Sequence, residues 1–505
     1  MQNTILTGFW LRILSAAFVI FSPAALRANS EVSDSGLTIN GRDMGYRGIW
    51  YMNQPSGDEY VYKYSGGLGT YCAKHKPFAV YCDKAGKTFF CYGGTTTDSV
   101  ARPSWPSSRA GSPCHLLHMV SYYDHKTGTV PRPTILLDKK TSDAHDNPVI
   151  SVDDKGYIWI FSTSHGTSRP SYIHRSRRPY DVSEFELINA TKIENGKEVL
   201  MKNFSYMQPW YVKGKGFICF FTRYNYPADR TICFMTSADG IGWSKWNRIA
   251  AIDKGHYQIS TANNEKAGTA FNFHPEEKGL NWRTNLYYIE TYDFGKTWWS
   301  TDGQRLPLPL RDIKNPALVH DYQAQGLNVY LKDIRFDKKG MPVILFITSM
   351  GYESGPKNNP RSWTTARWTG RIWQIRKACI SDNNYDMGSL YIEADGTWRI
   401  IGPTQTGPQP YNPGGEMAMW ISKNQGKTWN KTKQLTKDSP YNHTYARHPV
   451  DAHPDFYALW ADGHGRMPSQ SSLYFCDREG NVRLLPRKMI EDFVKPKLSE
   501  NTSNK

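Results

Sequence analysis

Two histidines, His145 and His165, stand twenty residues apart at the outer ends of two apolar runs that flank the turn Asp153-Asp154-Lys155-Gly156. A hairpin closed by that turn brings its outer ends together, so the two imidazoles are expected side by side. Asp146, Asn147, Ser164, Ser168, Arg169 and Arg175 surround them in sequence. Imidazole changes charge near neutral pH, so a close pair set among carboxylate and guanidinium groups is equipped for proton transfer. A polar hairpin end with solvated histidines would have the same spacing, and spacing alone weighs the two readings equally.

The arrangement recurs downstream. Tyr206 precedes a strand-like run as His145 does, and Arg223 follows the next run as His165 does. Tyr257, in GHYQIS, holds a comparable place one unit later. Residues at equivalent repeat positions are expected on one rim, where successive units can build a common site.

The units themselves are visible as a weak repeat. A turn of the type Asp/Lys-Lys-x-Gly before an apolar strand recurs at Gly86, Gly156, Gly216, Gly268, Gly340 and Gly396, at intervals of 70, 60, 52, 72 and 56 residues. The strand FYALWAD at 456–462 supplies a seventh member. A unit of this length suits a four-stranded propeller blade. Thr291-Tyr-Asp293-Phe-Gly295-Lys-Thr297-Trp298 fits the Asp-box pattern S/T-x-D-x-G-x-T-W; Ser422 to Trp429 fits with Asn424 for Asp, and Ser237 to Trp243 is a shortened version. In such a box the Asp or Asn caps a turn, Gly permits a left-handed backbone and Trp packs between strands, so it marks blades and carries no catalysis. These counts predict an all-β, seven-bladed β-propeller with Asp-box (BNR-like) repeats over residues 45–486, after a polar segment at 29–44 and before a frayed polar tail at 487–505.

Composition sets the class of partner. The 505 residues carry a formal net charge of +16 and 14% aromatic residues. A basic surface favours a polyanion, and no nucleic-acid module accompanies it. Residues 1–28 read as a secretory signal, with Arg12 before a mostly apolar stretch and Ala28 at the cleavage point. No later stretch is long and apolar enough to span a membrane. The chain is therefore expected to be exported to the periplasm or medium, without a membrane span, as a monomer. Export permits disulfides among the eight cysteines. Cys82/Cys91 and Cys219/Cys233 each flank a turn, with buried free thiols the equal alternative.

The strings DAHDNPVISVD, SHGTSRPSYIHRS, FSYMQPWY with FTRY, YLKDIRFDKKGMPVILFITSMGYESGPKN, NYDMGSLY and AHPDFYALWADG together resemble the BNR-repeat polysaccharide lyases, above all the ulvan lyases of polysaccharide lyase families 24 and 25. The resemblance covers about Gly45 to Leu485. It implies a secreted seven-bladed propeller that cleaves acidic, sulfated algal polysaccharide by β-elimination, with no cofactor in the chemistry. By motif, His145 and His165 match the two active-site histidines, Tyr206 the catalytic tyrosine and Arg223 the arginine that neutralises the uronate carboxylate. Tyr257 is a weaker match, and with Asn147 and Arg169 it is assigned to substrate binding. Asn383 stands where relatives carry His. A structural zinc or calcium is a further implication, with His274 and His453 as conceivable ligands. On this reading Arg223 and His165 bind the carboxylate, Tyr206 is the general acid, and His145 is the general base or its partner. A sialidase-like hydrolase would need an arginine cluster and a Tyr/Glu nucleophile pair, and no convincing set is present. A non-catalytic glycan-binding propeller would lack the coherent base, acid and neutraliser. A lyase for another glucuronate polymer shares the catalytic set and stays open.

Overall fold

Strands Pro148–Val152 and Ile158–Ser162 pair antiparallel with Val152 opposite Ile158 and Pro148 opposite Ser162, so the 145–165 hairpin forms as the turn residues dictate. Asp153 caps that turn, its carboxylate accepting from the backbone N–H of Lys155 and Tyr157, and Gly156 takes φ 88°. Strands Tyr172–Ser176 and Phe185–Ile188 complete a four-stranded sheet. The same unit recurs along the chain. The computed structural model describes residues 37–95 and 115–499; the signal-like segment 1–28 and Cys114 lie outside them.

Seven sheets have four or five strands, and their first strands are Ala79–Cys82, Pro148–Val152, Ser205–Val212, Gln258–Ala262, Asn328–Phe336, Ser389–Ile392 and Asn442–Arg447. Consecutive sheets pack side by side, and the circle closes where Val450, beyond the last of these strands, bridges Val80 in the first. The fold is an all-β propeller. The expectation of seven units needs correction, because three smaller sheets exist as well. The most consequential is the hairpin Trp50–Pro55/Tyr62–Gly67, which borders the central cleft as an eighth β-unit. Repeat counting passes over it because it has neither the Lys-x-Gly turn nor an Asp box. Of the six turn glycines, five have positive φ; Gly268 lies inside strand Ala267–Phe273, and the turn before it is capped by Asn263.

The core lies between adjoining sheets, so these strands are apolar on both faces. Trp159, Phe217 and Trp243 fill one junction; Phe90, Phe456 and Phe475 fill the closing one. The boxes behave as expected. Gly295 N–H donates to Thr291 Oγ1 at 2.9 Å and Thr297 N–H to Asp293 Oδ1 at 2.8 Å, while Trp298 is buried against Phe220 and Phe234 of the preceding sheet. The Asn424 box repeats these bonds.

The expected polar termini are drawn into the structure. Gly41–Arg42 pairs with the edge strand Thr134–Asp138. Lys497–Leu498 extends the last sheet and Phe493–Val494 pairs with Val130–Pro131, so residues 487–499 are not a frayed tail. The seven described cysteines are free thiols, six of them buried. Cys82 lies opposite Lys87 and Cys219 opposite Met235, registers that give neither suggested pair a facing partner. Among the described residues, no helix is long and apolar enough to cross a membrane.

Candidate active site

The first and third strands of each sheet run away from one rim, and the residues at their starts surround a cleft. Its walls enclose about 720 Å³ of empty space, part of it open to solvent. His145 and His165 stack there with ring centroids 3.9 Å apart and planes within 17°. Asp143 joins them, its Oδ1 taking His145 Nδ1 at 2.6 Å and its Oδ2 taking His165 Nδ1 at 2.8 Å. A carboxylate accepts only, so both Nδ1 atoms carry protons and both Nε2 atoms face outward as the reactive lone pairs. Burial, with the neighbouring His165 next, lowers the pKa of His145 to about 4. His145 is therefore a neutral base at physiological pH.

Two phenols sit on that base. The hydroxyls of Tyr64 and Tyr71 each lie 2.8 Å from His145 Nε2. Tyr64 comes from the extra hairpin and Tyr71 from the loop that enters the first large sheet. Tyr206 completes the wall. A β-bulge between Ser205 and Gln208 holds it at φ 52°, a left-handed conformation costly for a tyrosine, and such bulges re-aim side chains at functional sites. Its ring is 6.1 Å from that of His145 and its hydroxyl 2.8 Å from that of Tyr224. Burial holds the Tyr206 phenol well above its ordinary pKa, so the group is a protonated donor.

The expected arginine is elsewhere. Arg223 pairs with Thr231 across the strands and lies over the Trp246 ring at 4.4 Å, with Nη1 donating to Asn203 O at 3.3 Å. It does not line the cleft. Side chains alternate along a strand, so Arg223 and Tyr224 point to opposite faces. Tyr224 is the residue that turns inward, and opposite it stands Arg230, which lines the cleft. The Arg230 side chain hydrogen-bonds Tyr224 and lies 5.1 Å from the Tyr257 ring centre, and its Nε and Nη1 have no protein partner. Tyr206, Tyr224 and Arg230 thus form a chain from phenol to cation.

Of the residues assigned to substrate binding, Tyr257 lines the cleft. Asn147 and Arg169 do not, and both act behind it. Arg169 pairs with Asp146 through Nε at 2.7 Å and with Asp143 at 3.3 Å, fixing the carboxylate that orients both histidines. Asn147 is buried and its amide donates to the carbonyls of Leu68, Gly69 and Tyr71. Asn147→Ala is expected to cost roughly 1–3 kcal/mol of stability through the stranded carbonyls and to lower kcat by loosening Tyr71; denaturant unfolding and steady-state rates check both. Asn383 is also a support, accepting from Tyr385 N–H and donating to Tyr411 O.

Sequence reasoning missed most of the charge. Lys63, Lys74, Arg230, Arg283 and Lys332 line the cleft, and among the described residues no Asp or Glu does. Burial pushes Lys74 down to about 7 and Lys63 down to about 8, the mark of cations desolvated near one another. A bound anion would relieve that cost. Asp143, His145 and His165 have donor types that suit a metal ion, but both Nδ1 atoms are committed to Asp143 and His145 Nε2 to the phenols. His274 and His453, the conceived zinc ligands, are not brought together. His274 Nδ1 donates to Trp282 O behind Tyr257, whereas His453 groups with His125 and Asp455.

The profile of the BNR repeat-containing family matches residues 119–381. An ulvan lyase of Nonlabens ulvanivorans is 22% identical over 367 residues, 64% of this chain and 72% of that protein. A PL25 ulvan lyase of Pseudoalteromonas sp. (strain PLSV) is 22% identical over 269 residues, 46% of this chain and 52% of that protein. Among solved structures, a PL25 ulvan lyase bound to -[GlcA(1-4)Rha3S]- gives a TM-score of 0.63 at 16% identity over 86% of this chain and 95% of that one. The polysaccharide lyase Uly1 gives 0.56 at 11% identity over 87% and 98%. At these identities the structural likeness speaks for a shared fold.

Proposed function

The chain belongs to the BNR repeat-containing family, and we propose that it is an exported polysaccharide lyase that cleaves a uronate-containing, sulfated polysaccharide of the ulvan type by β-elimination. The observation that carries this reading is the stacked His145–His165 pair on Asp143, set beneath Tyr206 in a cleft lined by two arginines and three lysines. The two ulvan lyases similar in sequence support the substrate class.

The chemistry follows from what elimination requires. The proton on C5 of a uronate is very weakly acidic while the neighbouring carboxylate keeps its charge. Arg230 supplies the neutralising charge that stabilises the enolate-like transition state, in the role the resemblance assigned to Arg223, and His165, held at Nδ1 by Asp143, keeps the stacked His145 ring in place. His145 receives the C5 proton at Nε2, through the phenol of Tyr71 or Tyr64 that rests on it. Its pair with Asp143 then stabilises the imidazolium. Tyr206 gives its proton to the departing O4, and the phenolate left behind is stabilised by the Tyr224 hydroxyl and the Arg230 charge. No step needs a metal or organic cofactor.

The test is ultraviolet absorbance of ulvan incubated with the purified mature protein. Absorbance from an unsaturated uronate at new chain ends is the expected result. New reducing ends without that absorbance would mean hydrolysis. Inactivity on ulvan with cleavage of another glucuronate polymer would move the substrate and keep the reaction. Inactivity across a panel of uronate polymers would leave a binding module.

A further inference from the structure

The cleft takes up five of the cations behind the +16 net charge, and four more, Lys245, Arg248, Lys296 and Arg305, meet in a groove on the outer wall of the propeller. The groove lies where the third large sheet meets the fourth. The outermost strand of the third sheet, Asn247–Arg248, and the two residues before it form one side. The Asp-box turn 295–298 and the segment 305–309 of the fourth sheet form the other. The groove encloses about 1330 Å³ of empty space, part of it open to solvent, and shares no lining residue with the cleft. A usual small-molecule site holds roughly 300–1,000 Å³, so this size suits a length of polymer.

The charge in the groove is uncompensated. Lys192, over the Trp246 ring at 4.0 Å, pairs with Glu194 at 2.8 Å, and Lys266 of the fourth sheet pairs with Glu290 at 2.6 Å. The four groove cations have no such partner among the described residues, and among these no Asp or Glu lines the groove. The carboxylate of the Asp box, Asp293, is turned to Thr291 and Thr297. Like charges gathered without counter-charge repel, and a bound polyanion relieves that repulsion. Trp246 adds an indole N–H without a protein acceptor. Pro307 and Pro309 give the facing wall a preset backbone, which lowers the ordering cost of binding.

We propose that this groove is a second binding site for an anionic polysaccharide, and that it holds one length of a chain while another length is cleaved in the cleft. The topology supplies the path. Turns from second to third strand lie at the cleft rim, and turns from third to fourth strand lie at the far rim. Tyr226, in a turn of the first kind, therefore stands at the cleft end of the groove, and the Asp box, in a turn of the second kind, stands at the far end. A polymer that leaves the cleft over the third sheet can run down this wall. A flat membrane would not fill a concave groove. Tethering one part of a chain raises the effective concentration of the rest at the cleft. The identity of the polymer rests on the proposed lyase activity, whereas the affinity of the groove for a polyanion does not.

Binding is measured apart from cleavage, by titrating ulvan into the full mature protein carrying Tyr206→Phe. The expected result is binding of ulvan that weakens as salt is added, with no binding of neutral dextran. Adding Lys245→Ala, Arg248→Ala, Lys296→Ala and Arg305→Ala is expected to lower the affinity at least about tenfold. In the enzyme with Tyr206 intact, the same four changes should raise KM on long ulvan and leave unchanged both kcat and the rate on the shortest oligosaccharide that the cleft cleaves. Lys296→Glu with Arg305→Glu alters only exposed positions and repeats the comparison if Arg248→Ala lowers Tm. Groove variants of unchanged Tm that bind ulvan as tightly as their parent would overturn the second site and leave the lyase activity standing. Equal retention of dextran would overturn it too. Loss of ulvan binding in the groove variants of a protein that cleaves no uronate polymer would uphold the site and discard the lyase.

Discussion

Arg230→Ala is expected to lower kcat/KM on a uronate polysaccharide by about 10²–10³-fold, the usual effect of removing a charge that stabilises a developing oxyanion. Arg223→Ala should change it by only a few-fold once unfolding has been excluded by Tm. The contrast turns on strand register. Arg223 and Tyr224 are neighbours on an edge of strand Gly216–Tyr224, and the alternation of the pleat sends them to opposite faces. Arg223 spends its charge over Trp246 and on the carbonyl of Asn203. Arg230, paired with Tyr224, has two buried N–H groups without a protein partner and lies among Tyr206, Tyr224 and Tyr257. Arg230→Lys should recover only part of the loss, because lysine restores a point charge without the planar fork that meets a carboxylate. The opposite pattern, with Arg223→Ala crippled and Arg230→Ala near wild type, would put the carboxylate elsewhere and discard this assignment. Arg283 provides an internal comparison: it also lines the cleft, yet it lies over the Tyr257 and Tyr330 rings at 4.7 and 4.5 Å, away from the Tyr224 chain. Its loss is expected to raise KM more than it lowers kcat, as a group that binds ground state and transition state alike does.

The same register explains what the sequence could reveal. The propeller class, the hairpin that joins His145 to His165 and the structural role of the Asp boxes follow from local patterns: a turn with Asp and Gly, two apolar runs, a recurring interval. Arg223 misled because strand-end position was legible while the parity of its last residues was not. A bulge or a frayed end shifts which neighbour faces inward, and one residue is enough to exchange Arg for Tyr. Tyr64 and Tyr71 were invisible for another reason. They are 81 and 74 residues from His145 in sequence and reach it only because the circle of sheets brings the entering loop and the extra hairpin over its centre. Asn147 and Arg169 were found as polar residues near the histidines, but polarity does not say whether a side chain faces substrate or backbone. The cationic lining likewise draws single residues from separate loops, so no local run of Lys and Arg announces it.

His145→Ala is expected to lower kcat by about 10²–10⁴-fold, and Tyr206→Phe by a similar factor, as removal of a positioned base or acid does. The pH dependence separates them. Asp143 holds the Nδ1 proton of His145, and burial lowers its pKa to about 4. A base is active when unprotonated, so the rate should stay flat as pH falls through 6.5, where a solvated histidine would titrate, and drop only on approach to about 4. Tyr206 works in the opposite sense. Its phenol, raised by burial, must keep its proton to serve as acid, so it imposes no loss at neutral pH and any alkaline limb lies above the ordinary tyrosine range. Tyr206→Phe should therefore erase the alkaline limb and leave the acid one, and Asp143→Asn should disturb the acid limb by releasing the His145 tautomer. Stability carries the same signature. The unfolded chain binds a proton at His145 below about 6.5, whereas the folded one resists it down to about 4. Between those values the unfolded state holds more protons, so stability rises with pH across the window and is lost as pH falls through it. His256, buried and lowered to about 4 by the same desolvation, adds to that loss from a place outside the cleft. Acid unfolding between pH 6.5 and 4 should thus weaken only in part in His145→Ala, while the acid limb of kcat disappears with the activity. An acid limb near 6.5 in the wild type would instead mean that the buried His145 is not the base, and would discard that assignment.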